Sequence, residues 1–296
     1  MSETLNIKHK PLFSEILTLI KYRLSFSVVL SSIASYLLAF EMFSLSTFII
    51  LIIGGFLVVG SSNGFNQIIE RERDSLMSRT LNRPLPSGNM SIYQAIIICS
   101  ILGLIGLVML YAINFRTAFF GFVSMIIYLA VYTPLKPITP LSVFFGAIPG
   151  AIPFMLGWVA VTNKFSIETG ILFMIQFFWQ FPHFWAIGWV SHDDYKRAGF
   201  KMLPTGKRDN STAFQIVFYT IWMILVSILP YFSFTGTFTI SLPSLILILV
   251  AGIFMLIQAI RLMQYKDNQN AIKLMYTSIF YLSFIQIIFV IDKLLS

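Results

Sequence analysis

One cysteine, Cys99, is present in 296 residues, which leaves no partner for an intrachain disulfide and no thiolate cluster for a metal. Charge is scarce as well: 11% of the residues are Asp, Glu, Lys or Arg, against about 25% in soluble domains. A chain this poor in charge cannot coat a water-facing surface. No linker rich in Pro, Gly or Ser and no low-complexity tract interrupts it, so one domain over 1–296 is the simplest organisation, with 1–20 as a cytoplasmic amino-terminal tail. Lys8, Lys10, Lys21 and Arg23 precede the first apolar run. No small-residue cleavage site follows a short apolar stretch, so that run reads as a permanent anchor and not as a removable signal peptide.

What is abundant is apolar surface, at 57% of residues. A membrane-crossing helix needs about 20 mostly apolar residues, and such runs lie near 24–43, 47–69, 91–112, 117–135, 140–162, 167–190, 213–234, 240–260 and 274–291. The expected fold is therefore all-α, a polytopic membrane bundle of about nine helices in a lipid bilayer. The net charge of +8 does not point to nucleic acid, because the basic residues form no single patch. With the amino terminus cytoplasmic and nine spans, all but Arg116, Lys164 and Lys293 of the 20 lysines and arginines fall on the cytoplasmic side, as the positive-inside rule requires. The carboxyl terminus is then outside, and the expected location is a bacterial-type cytoplasmic (inner) membrane.

Two cytoplasmic gaps, 70–90 and 191–212, hold Glu70, Glu72, Asp74, Asp193, Asp194 and Asp209, half of the 12 acidic residues. In the first, Asn66, Glu70 and Asp74 follow at i, i+4 steps and share one helical face. Two carboxylates and an amide oxygen there repel one another unless a cation joins them. Mg²⁺ suits such oxygen donors when substrate phosphates complete its octahedron, so a diphosphate is the natural bridging group. Arg71, Arg79 and Arg83 supply guanidinium forks for phosphate oxygens. A solvated helix end with local Glu–Arg pairs is the plainer alternative; Asn66 argues against it, since an ion-pair lattice has no use for an amide.

In the second gap Asp194 is a candidate for a direct role, with Lys196 and Arg197 beside it, and Asp193 a weaker one. Lys136 closes the fourth run at the same edge and is a further candidate for the diphosphate, although a Lys there also serves to set helix depth. His183 lies about two turns inside the sixth run, directly after Pro182. It reads equally well as a ligand to a haem iron or as the partner of a backbone carbonyl that Pro182 leaves without a donor.

Asn66-x3-Glu70-x3-Asp74, followed by Met77-x-Arg79-Thr80-x2-Arg83-Pro84-Leu85-x2-Gly88, resembles the first acidic motif of the UbiA-like intramembrane prenyltransferases in their haem O synthase branch. Tyr132-Thr133-x-Leu135-Lys136-x2-Thr139, Trp179-Gln180-x-Pro182-His183-Phe184 and Asp194-Tyr195-x2-Ala198-Gly199-x2-Met202-Leu203-Pro204 are similar to that branch too. The resemblance runs from roughly 20 to 290. It implies nine helices around a central cavity, farnesyl diphosphate bound with Mg²⁺ by Asn66, Glu70 and Asp74, and haem B as acceptor and substrate. It also implies a downstream haem A synthase or terminal oxidase assembly as a partner. Two departures stand out: Glu70 replaces the commoner aspartate, and Val190 stands four residues before Asp194 where the wider superfamily has another aspartate.

The expected reaction is Mg²⁺-dependent farnesyl transfer to a haem vinyl group, giving haem O. One alternative is prenylation of a quinone precursor or other aromatic acceptor by the same fold. Another is a cation-coupled transporter, although transporters bind near the bilayer midplane and these carboxylates lie at one edge.

Overall fold

The computed structural model describes residues 11–295; Lys8, His9 and Lys10 of the expected tail lie outside the described residues. Every regular element among the described residues is helical. Within the stretch read as a tail, α1 (Leu12–Leu19) is a docked helix. Gln67 Nε2 donates to its last carbonyls, Thr18 O at 3.1 Å and Leu19 O at 2.6 Å, supplying partners that a helix end lacks. Glu15 accepts from Asn89 Nδ2 at 3.0 Å.

The chain then crosses in α2 (Tyr22–Ala39), α3 (Leu45–Asp74) and α4 (Ile92–Ile113). The next span runs from Phe115 to Leu135 as α5 (Phe115–Ile126), a π turn (Ile127–Tyr132) and α6 (Thr133–Leu135). After it come α7 (Ser142–Thr162), α8 (Ile167–Val190), the short α9 (His192–Arg197), α10 (Asn210–Ser227), α11 (Leu242–Tyr265) and α12 (Asn268–Leu295). Among the described residues, eight spans are long and apolar enough to cross a membrane. The ninth, α8, has 24 residues and carries Gln176, Gln180 and His183, which lower its hydropathy. About nine helices is thus the right description, with boundaries close to those expected from the apolar runs.

Helices α2, α7, α8 and α12 pack in sequence around the centre; α3, α4 and α5 flank α2 and α7, while α10 and α11 flank α8 and α12. Lipid-like surroundings give no hydrophobic drive between helices, so close backbone approach matters. A Cβ on Gly106 would lie 2.9 Å from Gly54 O, so glycine is required where α3 and α4 cross. Pro153 removes the N–H that would serve Pro149 O, and Ser124 Oγ replaces it at 3.2 Å. Much of the outer face is exposed Ile, Leu and Phe, as a lipid-facing surface demands.

Candidate metal and diphosphate site

The site is built at the C-terminal end of α3. Asn66, Glu70 and Asp74 are 1%, 5% and 0% exposed, so the shared face faces protein and not bulk water. Burying two carboxylates is costly unless charge and hydrogen bonds compensate. Lys136 Nζ lies 2.8 Å from Glu70 Oε1, and Arg83 Nη1 lies 2.5 Å from Asp74 Oδ2. Arg83 reaches back because the loop folds on itself, Thr80 Oγ1 donating to Asp74 O at 2.5 Å and Arg83 N to Thr80 O at 3.0 Å. Asp74 Oδ1 is buried and without a hydrogen-bond partner.

Asn66 Nδ2 donates to Thr133 Oγ1 at 3.1 Å, and Lys21 Nζ approaches Asn66 Oδ1 at 3.5 Å. Lys21 sits at the elbow between α1 and α2 with φ of 48°, a left-handed conformation rare outside glycine. Burial, and then the positive charge of Arg83 and Lys136, brings its pKa down to about 7. For Lys136 burial also works against the charge, but Glu70 outweighs it, and the pKa lies above the ordinary lysine value. Two carboxylates thus face three basic side chains, an arrangement suited to a polyanion carrying a divalent ion.

The second acidic segment braces this cluster. Asp194 accepts from Ser78 Oγ at 3.1 and 3.3 Å and pairs with Arg197. Arg79 lies over the Tyr195 ring, 4.5 Å from its centroid, and Lys136 over Tyr132 at 4.4 Å. Arg73 Nη1 donates to Ala198 O at 2.7 Å, and Lys201 N to Lys136 O at 2.8 Å. Segments 75–83, 136–141 and 191–201 therefore form one end of the bundle.

Of the residues expected from sequence, Asn66, Glu70, Asp74, Arg83 and Lys136 come together, and Asp194, Arg79 and Arg197 stand at the rim. Arg71 does not join them; it pairs with exposed Glu72 at 2.9 Å, because adjacent positions on a helix face different ways. Lys196 is exposed, and Asp193 meets Arg208 at 3.3 Å on the surface. His183 lies against α12, with Nδ1 2.8 Å from Ser278 Oγ and its ring stacked on Trp179. Lys21 escaped the sequence reading, which treated it only as a topological charge. Its position just ahead of a span, at the same edge as the acidic motif, was the available signal.

The donors are hard oxygens, and no group of three or more His, Cys, Asp or Glu side chains suited to a metal exists among the described residues. That combination fits Mg²⁺, which keeps waters or substrate phosphates in its shell and needs no all-protein cage. The unpartnered Asp74 Oδ1 is the specific atom that such an ion would satisfy.

Residues 28–285 match the UbiA prenyltransferase family, and the chain belongs to that family. It is 53% identical over 289 residues to the protoheme IX farnesyltransferase of Flavobacterium psychrophilum, covering 97% of this chain and 96% of that one. It is 55% identical over 288 residues to the protoheme IX farnesyltransferase of Christiangramia forsetii, covering 96% of each. Among solved structures, digeranylgeranylglyceryl phosphate synthase superposes with a TM-score of 0.79 at 20% identity, over 96% of this chain and 99% of that one. A UbiA homolog from Archaeoglobus fulgidus bound to GPP and Mg²⁺ gives 0.68 at 14% identity, over 93% and 99%. At such identities the structural likeness establishes the shared fold.

Proposed function

We propose that this prenyltransferase moves the farnesyl group of farnesyl diphosphate onto a vinyl group of haem B, giving haem O. The observation that carries the donor half is the buried Asn66–Glu70–Asp74 face, charge-matched by Lys136 and Arg83 and leaving Asp74 Oδ1 unpartnered. The acceptor half is supported by the two protoheme IX farnesyltransferases that match over nearly the whole chain.

Mg²⁺ held by Asn66, Glu70 and Asp74 would make the diphosphate a better leaving group. Arg83 and Lys136, held beside the carboxylates by ion pairs, would turn from them to the charge developing on the leaving oxygen once the metal engages Glu70 and Asp74. Lys21, whose pKa of about 7 would rise beside a polyanion, adds a third cation, and Arg79 and Arg197 are further hydrogen-bond donors for phosphate oxygens at the rim. The allylic carbon–oxygen bond breaks with its electron pair going to the diphosphate. The vinyl π electrons form the new carbon–carbon bond, and water adds to the resulting carbon cation with loss of a proton.

His183 is our candidate for holding the haem. Ser278 Oγ donates its hydrogen to Met275 O at 2.7 Å, so it accepts from His183 Nδ1, and Nε2 keeps the lone pair that an iron takes. The amino terminus is cytoplasmic and the carboxyl terminus outside, in a bacterial-type inner membrane, and the product passes to a haem A synthase or terminal oxidase assembly.

Membranes containing the protein, incubated with haem B, farnesyl diphosphate and Mg²⁺, should yield haem O by mass analysis. Prenylation of a quinone precursor with no haem O would overturn the acceptor. Unchanged haem affinity in His183→Ala would remove that ligand.

A further inference from the structure

We infer that Thr133 is the positioning residue that fixes which way the Asn66 amide points, an inference resting on the reading of Asn66 as a metal ligand. Thr133 ends the π turn, where Pro134 brings no N–H and the regular hydrogen-bond ladder cannot continue. Its own N–H and its hydroxyl both reach back five residues to Tyr128 O, the hydroxyl at 2.8 Å. The hydroxyl hydrogen is thereby spent. What remains on Thr133 Oγ1 is acceptor capacity, and it takes the hydrogen bond from Asn66 Nδ2 at 3.1 Å.

With Asn66 1% exposed, water offers no substitute partner. A flipped amide would set Oδ1 against an oxygen that has no hydrogen to give, and would forfeit the contact of Lys21 Nζ with Oδ1. The oxygen–oxygen contact is repulsive, so the favoured orientation is nitrogen toward Thr133, oxygen toward Lys21. Asn66 shares its buried helical face with Glu70 and Asp74, so fixing the amide fixes how its oxygen is offered beside the two carboxylates. The π turn is what makes this possible. One extra residue in a helical turn rotates everything after it by about 100°, and both Thr133 and Lys136 lie after it, packed toward α3.

The test measures Mn²⁺ binding by electron paramagnetic resonance on the purified full chain, with farnesyl thiodiphosphate as a slowly reacting donor. Thr133→Val removes the acceptor while keeping the shape, and should weaken Mn²⁺ affinity by roughly tenfold. Thr133→Ser should restore it, and the metal-free melting temperature should fall in Thr133→Val, which leaves the buried Asn66 Nδ2 without an acceptor, and recover in Thr133→Ser. In turnover, Thr133→Val should need more Mg²⁺ yet regain kcat at saturating metal. If Thr133→Val does not fold, Thr133→Ala serves, since it opens space without crowding. Wild-type Mn²⁺ affinity in the folded Val or Ala variant, or a Ser variant as weak as Val, overturns the inference. Asp74→Asn separates the two layers. If it loses Mn²⁺ while Thr133→Val does not, only the role of Thr133 falls; if it also binds normally, the metal site itself falls.

Discussion

The two ends of the bundle both bury acids, and they satisfy them differently. At the end away from the site, Glu168 accepts from Thr237 N at 2.8 Å and Thr237 Oγ1 at 3.0 Å. Asp292 accepts from Ser241 N at 3.0 Å, from Ser244 Oγ at 2.5 Å and from Ser241 Oγ, holding the start of α11. Neutral N–H and O–H donors, reaching in from distant parts of the chain, meet these carboxylates, and the result is a fastened loop. At the site end Glu70 and Asp74 are met by the cations of Lys136 and Arg83, and one Asp74 oxygen is left over. A buried acid that its own neighbourhood satisfies is fastening; one balanced in charge but short of hydrogen bonds is prepared for something else.

The largest effect that would sharpen this contrast is on catalysis at the site end. Asp74→Asn should lower haem O formation per folded molecule by roughly a hundredfold or more, measured by mass analysis at saturating haem B. Retained turnover would erase the distinction between the two ends.

The next effect is on stability. Lys136→Met leaves Glu70 buried without its cation and should cost about 3 kcal/mol in the metal-free protein, read from denaturant unfolding in detergent. The double variant Lys136→Met with Glu70→Gln should recover most of that loss, because no uncompensated charge remains. A double variant as unstable as the single one would show that Lys136 matters for packing and not for charge.

At the other end, Asp292→Ala should cost about 1 kcal/mol through lost helix-start hydrogen bonds and leave turnover per folded molecule unchanged. Impaired turnover in the folded variant would break the comparison from its fastening side.

The smallest effect concerns Asp209, whose carboxylate accepts from Thr212 N at 2.8 Å at the start of α10. That backbone hydrogen bond holds its pKa below the ordinary aspartate value. A depressed folded-state pKa stabilises above the unfolded value and loses that stabilisation as pH falls through the folded one. Asp209→Ala should therefore cost about 1 kcal/mol near neutral pH, with the gap between wild type and variant closing in acid, as paired melting curves across pH would show.

Much of the fold was legible because hydropathy and helical period are local. The apolar runs place the spans, and i, i+4 spacing puts Asn66, Glu70 and Asp74 on one face, buried in the structure as a ligand set needs. Arg71 shows the limit: a cation next to the motif in sequence turns outward to Glu72. Lys21 shows the converse. It acts from 45 positions before Asn66, through a left-handed elbow that residue type alone does not announce.

The sequence by itself determined that this is a membrane bundle and which helical face is acidic, since both follow from neighbours within a few turns. The tertiary structure alone decided which cations meet those acids and how the amide is held. Those pairings join Glu70 to Lys136 and Asn66 to Thr133 across 67 positions. They depend on a π turn that resets the rotation of one helix, and on loops that meet only once the whole bundle has packed.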